Sequence, residues 1–195
     1  MSKQSQLNQL NAKMLACSLC ALRSGCSRVV PGAGSADAEI MFIGEAPGKK
    51  EDETGVPFVG AAGKFLDEML GTIKLNREDV YIANVVKCRP PGNRDPLPEE
   101  VKFCWPWLLQ QIQIIQPKLI VTLGRHSMER FLPGQKISQM HGHALRRETE
   151  GIGPQVFYTL YHPAAALYNG SMRETLINDF KRIPKIIKQI KSKQN

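Results

Sequence analysis

The chain has 195 residues, of which 42% are hydrophobic and 23% are charged, a composition typical of one globular domain with a sizeable core. No stretch approaches the ~20 apolar residues of a membrane-spanning helix, and the polar N-terminus lacks the apolar core of a signal peptide. We therefore expect a single domain over residues 1–195, a cytoplasmic location, no membrane contact and a monomer. The net charge of +8 indicates a polyanionic partner.

In chain order, the apolar pattern predicts an N-terminal helix and then short buried strands that alternate with helices. The N-terminal helix covers about residues 3–16. The predicted strands are 38–43, 80–86, 119–123 and 155–160, and the predicted helices are 63–73, 98–115, 124–132 and 172–191. Strands alternating with helices predict an α/β fold in three layers, with a parallel sheet between two layers of helices.

Polar groups follow the predicted strands, at the end of the sheet where α/β proteins bind their ligands. The first strand is followed by residues 44–48 (GEAPG), and the second carries Asn84 near its end. The third is followed by 124–127 (GRHS), and the fourth by His162 in 161–166 (YHPAAA). This distribution predicts a small-molecule pocket at that edge, although glycine and proline also end strands for purely structural reasons.

Five cysteines stand at positions 17, 20, 26, 88 and 104. An odd count without a signal peptide favours reduced thiols or metal ligands over disulfides. The pair Cys17 and Cys20 forms a CxxC motif, and with Cys88 and Cys104 it could bind tetrahedral zinc or an iron–sulfur cluster. Unligated thiols are the alternative, and we predict that Cys26 is not a ligand.

Three segments together resemble the family 4 uracil-DNA glycosylases. Residues 44–52 (GEAPGKKED) with 55–60 (GVPFVG) are similar to the first motif of that family, residues 84–94 (NVVKCRPPGNR) to the second, and 162–165 (HPAA) to the last. The resemblance implies a central four-stranded parallel sheet. It also implies a [4Fe–4S] cluster held by Cys17, Cys20, Cys88 and Cys104, with residues 1–36 contributing the first two ligands. Lys49 and Lys50 depart from the pattern, because relatives often carry acidic residues there.

The implied activity is hydrolysis of the bond between uracil and deoxyribose in DNA, which gives free uracil and an abasic site. By resemblance, the ring of Phe58 stacks on the extruded base, and Gly44 and Ala46 border it. Asn84 offers a donor and an acceptor side by side, which match uracil O4 and N3–H but not cytosine.

His162 is the candidate donor to uracil O2, where negative charge develops as the base leaves. A carboxylate near the sugar would help, and the position of the Asp used by sister glycosylases is Ala46 here. We therefore favour Glu51 for orienting water or shaping the pocket and Glu45 for the geometry of the motif. No covalent adduct with DNA is expected, because the His-containing insert of a related group is absent between Cys88 and Cys104.

Contacts to DNA are expected from three cations of the second motif, Lys87, Arg89 and Arg94, acting on phosphates. Leu167 or Tyr168, just after His162, could enter the gap left by the extruded base. A non-catalytic nucleic-acid-binding protein with a four-cysteine metal site is the main alternative. A nucleotide-binding enzyme is less consistent with the sequence, which lacks GxxxxGK[ST] and GxGxxG.

Overall fold

The computed structural model describes residues 1–193, so the last two residues of the predicted domain lie outside the described part of the chain. Its centre is a six-stranded sheet in the order β1-β3-β2-β4-β6-β5. The strands are β1 (Ala33–Gly34), β2 (Ile40–Gly44), β3 (Tyr81–Asn84), β4 (Leu119–Leu123), β5 (Ala144–Thr149) and β6 (Gly153–Leu160).

The four predicted strands are β2, β3, β4 and β6, and neighbours among them pair in parallel. The expectation of a four-stranded parallel sheet holds only for the centre, because two antiparallel edge strands make the whole sheet six-stranded and mixed. β1 has two residues and pairs with β3, and β5 pairs with β6. The residues of β5 are nearly all exposed, so this strand has no buried apolar run by which the sequence could reveal it.

Ten α-helices accompany the sheet in the described residues. They are α1 (Lys3–Leu15), α2 (Leu22–Gly25), α3 (Lys49–Thr54), α4 (Ala61–Thr72), α5 (Pro98–Ile115), α6 (Arg125–Phe131), α7 (Ile137–Met140), α8 (Ala165–Tyr168), α9 (Gly170–Phe180) and α10 (Ile183–Ser192). Short 3₁₀ turns lie at Arg77–Asp79 and Pro91–Asn93. None of the helices in residues 1–193 is long and apolar enough to cross a membrane.

The predicted helix over 172–191 is two helices, α9 and α10. Pro184 falls in the first turn of α10, where its missing N–H costs nothing, whereas inside a continuous helix it would remove a backbone hydrogen bond. The hydroxyl of Tyr158 donates to the carbonyl oxygen of Asp179 at 2.7 Å, so one of the last carbonyls of α9 has a partner.

Each face of the sheet carries its own hydrophobic core, because side chains alternate along a strand. Met41 and Ile43 of β2 belong to the core with α1, α5 and α6, whereas Ile40 and Phe42 belong to the core with α4, α9 and α10. The sheet therefore lies between two helical layers, as predicted. This packing leaves the carboxyl ends of β2, β3, β4 and β6 together at one edge.

Candidate active site

A cavity of about 360 Å³ opens at the carboxyl ends of the parallel strands. Its wall comes from the loops after β2, β3 and β6 and from the segment before α4. The lining residues are Glu45, Ala46, Pro47, Gly48, Glu51, Phe58, Ala62, Asn84, Pro90, Asn93, Arg94, His162 and Ala164. The structure thus brings together Phe58, Asn84 and His162, the three residues that the resemblance assigns to contacts with the base.

Asn84 is the last residue of β3 and is only 2% exposed. Its side-chain Oδ1 is buried and has no hydrogen-bond partner among the described residues. A buried amide oxygen without a partner is costly, and such atoms concentrate where a ligand supplies the missing bond. Gly44 permits this placement, because a Cβ at that position would lie 2.4 Å from Oδ1 of Asn84 and 2.7 Å from Cζ of Phe58.

Phe58 is buried and has a left-handed backbone conformation with φ +54°. This conformation is unfavourable for a bulky residue and persists only where the surroundings hold it. Arg77 donates to the carbonyl oxygens of Pro57 (2.9 Å) and Phe58. Gly63 in α4 allows close approach, since a Cβ there would overlap the Phe58 carbonyl. The ring is thereby fixed against the cavity.

His162 follows β6, and its ring stacks near that of Phe58, with centroids 5.7 Å apart. Its Nδ1 accepts a hydrogen bond from the backbone N–H of Ala164 at 3.1 Å. Burial lowers the pKa of His162 to about 4, and the charge of Glu51 opposes this shift only in part. The imidazole is therefore neutral near pH 7, with its proton on Nε2, which makes that nitrogen a donor.

The two predicted carboxylates have different surroundings. Oε1 of Glu51 accepts from the backbone N–H groups of Val59 (2.8 Å) and Gly60 (2.9 Å), so Glu51 holds the loop that carries Phe58. Glu45 is partly buried, and its Oε1 has no partner within hydrogen-bond distance among the described residues. Burial raises the pKa of Glu45 to about 7, and the nearby charge of Asp95 adds to that rise.

The sequence assigns no role to two residues beside Glu45, although one of them, His126, lies in the 124–127 segment expected at this edge. His126 Nδ1 lies 3.8 Å from Glu45 Oε1, and His126 Nε2 lies 3.2 Å from Asp95 Oδ2. The position of His126 just after β4 was a usable signal, because the loops after parallel strands meet at this edge. Asp95 lies in a proline-rich loop whose path the sequence does not reveal.

The prediction that Lys87 contacts DNA phosphates does not fit the structure. Lys87 is 2% exposed, and its ammonium donates to the backbone oxygen of Asn84 (2.8 Å) and to Oε1 of Gln111 (2.7 Å). Burial lowers the pKa of Lys87 to about 8. The residue follows β3, and its side chain reaches Gln111 of α5, a long-range contact that the sequence pattern does not show.

The other predicted DNA contacts lie at or near the surface. Arg94 borders the cavity and forms a two-point ion pair with Glu100, at 2.9 and 2.6 Å, while Arg89 donates to Oδ1 of Asn93 at 2.7 Å. In α8, close to His162 in sequence, Leu167 is 47% exposed and Tyr168 is 91% exposed. Exposed side chains with large apolar surfaces are available for contact with a partner. Their role on DNA stays a prediction.

Cys17, Cys20, Cys88 and Cys104 line one small enclosed cavity, together with Met14, Leu22, Arg23, Val29, Lys87 and Trp107. The topology thus brings the CxxC pair at the end of α1 against the segment after β3 and against α5. Burial raises the pKa of the Cys104 thiol to about 11, and burial together with the neighbouring Cys26 raises the pKa of Cys88. None of the five cysteines forms a disulfide with another described residue, and Cys26 is buried beside Cys88.

The cavity combines a hydrogen-bonding amide, an aromatic ring and a neutral imidazole, an arrangement whose chemistry suits a flat heterocycle. Residues 31–187 match the family model of the uracil DNA glycosylase superfamily. The chain is 47% identical over 182 residues to a Type-4 uracil-DNA glycosylase of Archaeoglobus fulgidus, covering 91% of each protein. It is 38% identical over 192 residues to a Type-4 uracil-DNA glycosylase of Thermotoga maritima, covering 96% of this chain and 98% of that protein. The chain belongs to the uracil DNA glycosylase superfamily.

Proposed function

We propose that this chain is a uracil-DNA glycosylase that extrudes uracil from DNA and hydrolyses its N-glycosidic bond. The observation that carries the proposal is the buried, unpartnered amide oxygen of Asn84 in the cavity shared with Phe58 and His162. Water adds to C1′ as the N1–C1′ bond breaks, and the bonding electrons leave with the base. The products are free uracil and an abasic site, the first step of base excision repair.

Asn84 reads the base in this proposal. Its Oδ1 accepts from uracil N3–H and its Nδ2 donates to O4, whereas cytosine presents the reverse pattern and leaves both partners unpaired. Within a buried cavity, such a mismatch costs several kcal/mol, which is enough for strong discrimination. The fixed ring of Phe58 supplies a stacking surface for the extruded base, a contact worth ~1–3 kcal/mol. Gly44 leaves room for both side chains, and Ala46 also lines the cavity.

His162 stabilises the departing uracil. The developing negative charge lies on uracil N1 and O2, and a positioned donor at O2 lowers the barrier. Because Nδ1 is already occupied by the Ala164 N–H, Nε2–H is the donor that remains for the base. The lowered pKa of His162 means that it donates as a neutral group and that it gains a proton only at strongly acidic pH.

Glu45 is the better candidate for the carboxylate that orients water, and Glu51 for shaping the pocket. Glu51 already accepts two backbone N–H groups, so its role is to hold the Val59–Gly60 turn in place. Glu45 borders the same cavity and keeps one oxygen without a partner. Its ionised form would hold the attacking water and stabilise the positive charge that develops on the sugar.

Arg89 and Arg94 lie near the cavity mouth, and we propose that they contact phosphates on either side of the extruded nucleotide. Leu167 or Tyr168 would fill the space that the nucleotide leaves in the duplex. The net charge of +8 favours this encounter and makes DNA binding weaken as salt increases. A monomer is sufficient for these contacts.

We also propose that Cys17, Cys20, Cys88 and Cys104 hold a [4Fe–4S] cluster. The fit rests on the donor set, since four thiols from distant parts of the chain line one enclosed cavity. When bound, the cluster would supply a covalent tie between the N-terminal segment and the rest of the domain. Hydrolysis needs no change in its oxidation state. Cys26, although buried close by, is proposed to remain a free thiol.

The direct test is a labelled oligonucleotide that contains one uracil. Incubation with the chain, followed by alkali, should cleave the strand at that position, because alkali breaks DNA at an abasic site. The same oligonucleotide with thymine or cytosine in place of uracil is the control and should stay intact. Intact uracil DNA that is still bound by the protein would instead support the non-catalytic binding protein considered above.

The raised pKa of Glu45 predicts a pH dependence. If the Glu45 carboxylate orients water, kcat/KM for excision should fall about tenfold per pH unit below its pKa of about 7 and level off above it. Asp95→Asn removes a charge that raises this pKa, so it should move the midpoint of the profile to lower pH. Glu45→Gln should lower the rate and flatten the profile between pH 6 and 8.

Glu53→Gln makes the same chemical change at an exposed glutamate of α3 and should leave the profile unaltered. A wild-type profile that is flat from pH 6 to 8 would exclude Glu45 as the group that must be ionised.

A further inference from the structure

Lys87 is a buried cation between the proposed base-reading residue and the core of the domain. Removing an ammonium group from water is expensive unless the protein replaces its hydration shell with hydrogen bonds. Two of the Lys87 donors are satisfied by the backbone oxygen of Asn84 at 2.8 Å and by Oε1 of Gln111 at 2.7 Å. A charge-assisted bond to a backbone carbonyl is strong and fixes the position of that peptide.

Gln111 is held from its other side as well. It is fully buried in α5, and its Nε2 donates to the carbonyl oxygen of Pro31 (2.8 Å) and to the hydroxyl of Tyr81 (3.0 Å). Tyr81 begins β3, the strand that Asn84 ends. The amide of Gln111 is therefore held in place independently of Lys87. The Lys87 ammonium contacts Asn84 at the end of β3 directly and is connected to Tyr81 at its start through Gln111.

The backbone of Lys87 is fixed too. Its N–H donates to Sγ of Cys104 at 3.2 Å, and its carbonyl oxygen accepts from the N–H of Val30 at 2.7 Å. Neighbouring N–H groups bond back to the loop after β2, with Val85 donating to the oxygen of Gly44 and Val86 to that of Glu45. The segment after β3 is thus tied to the cavity wall on one side and to the cysteine-lined cavity on the other.

We propose that Lys87 is a positioning residue: its ammonium, anchored by Gln111, holds the Asn84 peptide so that the Asn84 amide faces the base. The inference rests on the proposed reading of uracil by Asn84. According to this inference, Lys87 affects base recognition without contacting DNA phosphates, since its side chain is buried. Loss of the ammonium would leave the Asn84 carbonyl without this donor, and the bond from the Val85 N–H to the oxygen of Gly44 would have to hold the peptide alone.

The test compares Lys87→Met with Lys118→Met. Methionine has nearly the length of lysine without the charge, and apolar replacements of buried charges are often tolerated. Lys118 precedes β4 at the opposite end of the sheet and is about one-third exposed, so the same substitution there controls for loss of a positive charge. Thermal unfolding checks that both variants fold.

The probe is a DNA duplex with one 2′-fluoro-2′-deoxyuridine, whose glycosidic bond resists hydrolysis, compared with the same duplex carrying thymidine. The Kd for the thymidine duplex divided by the Kd for the fluorouridine duplex measures recognition of the base apart from phosphate contacts. Lys87→Met should reduce this ratio about tenfold and leave the Kd for thymidine DNA unchanged. On cleavable uracil DNA, kcat/KM should fall by at least the same factor, because the binding lost to the extruded base is lost in the transition state as well. Lys118→Met should match the wild type in all of these.

A double-mutant cycle separates positioning from a general structural role. In the Asn84→Ala background, Lys87→Met should reduce the ratio no further, because the residue acts through Asn84. An equal loss in both backgrounds, or a wild-type ratio in Lys87→Met, would overturn the inference. If Lys87→Met does not fold, Gln111→Leu removes the side-chain acceptor instead and must give the same non-additive loss, and a wild-type ratio there counts against the inference.

The proposed function and the inference fail in different ways. A wild-type chain that neither prefers the uracil duplex nor excises uracil would remove the proposed function and, with it, this inference. A wild-type chain that does both, while Lys87→Met behaves like Lys118→Met, would remove the inference alone.

Discussion

Asn84→Ala should lower kcat/KM for uracil excision by about 30- to 1,000-fold, corresponding to ~2–4 kcal/mol of lost transition-state binding. The substitution removes both the acceptor for uracil N3–H and the donor for O4. It should cost little stability, because Oδ1 of Asn84 has no partner in the protein and its removal leaves no group unpaired. The measurement is single-turnover excision from uracil DNA, with thermal unfolding measured on the same preparation.

Asn8→Ala is the matched control for this experiment. Asn8 lies on the exposed face of α1, and its Oδ1 accepts a hydrogen bond from Nε2 of Gln4. The same truncation there should change neither the excision rate nor the fold. Excision by Asn84→Ala at the wild-type rate would show that the amide does not read the base. A large drop in the unfolding temperature of Asn84→Ala would show instead that the residue has a structural role.

The framework of this site was accessible from the sequence because its strands are continuous apolar runs. β2 and β4 are buried along their whole length, so their residues are hydrophobic on both faces of the sheet. Such continuous apolar strands are typical of a parallel sheet covered by helices on both sides. Once the sheet was expected, the residues after its strands were expected to meet at one edge. The role of each residue there came from the resemblance to a known family, since a lone histidine or asparagine has many structural uses.

The details that were missed depend on long-range contacts with no local signal. The left-handed backbone of Phe58 is held by Arg77, which lies 19 residues further along the chain. Lys87 was expected at the surface, because lysine usually is, and its burial depends on an acceptor in α5. The exposed edge strand β5 has no buried face, so its pairing with β6 cannot be recognised from hydrophobic periodicity.

The proposed cluster site carries the second large prediction. Protein purified without oxygen should be brown and contain iron, and Cys88→Ala should lose most of that iron. Because the four thiols join α1, the segment after β3 and α5, losing their common ligand should lower the unfolding temperature by about 10 °C, or ~3–5 kcal/mol for a domain of this size. DNA binding should weaken as well, since Arg89 and Arg94 lie within six residues after Cys88.

Cys26→Ala provides an unusually close control, because Cys26 and Cys88 are both buried and their thiols are neighbours. Cys26→Ala and Cys88→Ala each remove one buried sulfur atom from nearly the same place. Any loss of stability that is due only to a cavity in the core should therefore be equal in the two variants. Iron content, unfolding temperature and DNA affinity should therefore stay near wild type in Cys26→Ala and fall in Cys88→Ala.

Zinc in place of iron would overturn the cluster assignment, and equal iron loss in the two variants would show that Cys26 belongs to the ligand set. Retention of iron, stability and DNA binding in Cys88→Ala would show that this thiol is dispensable to the centre.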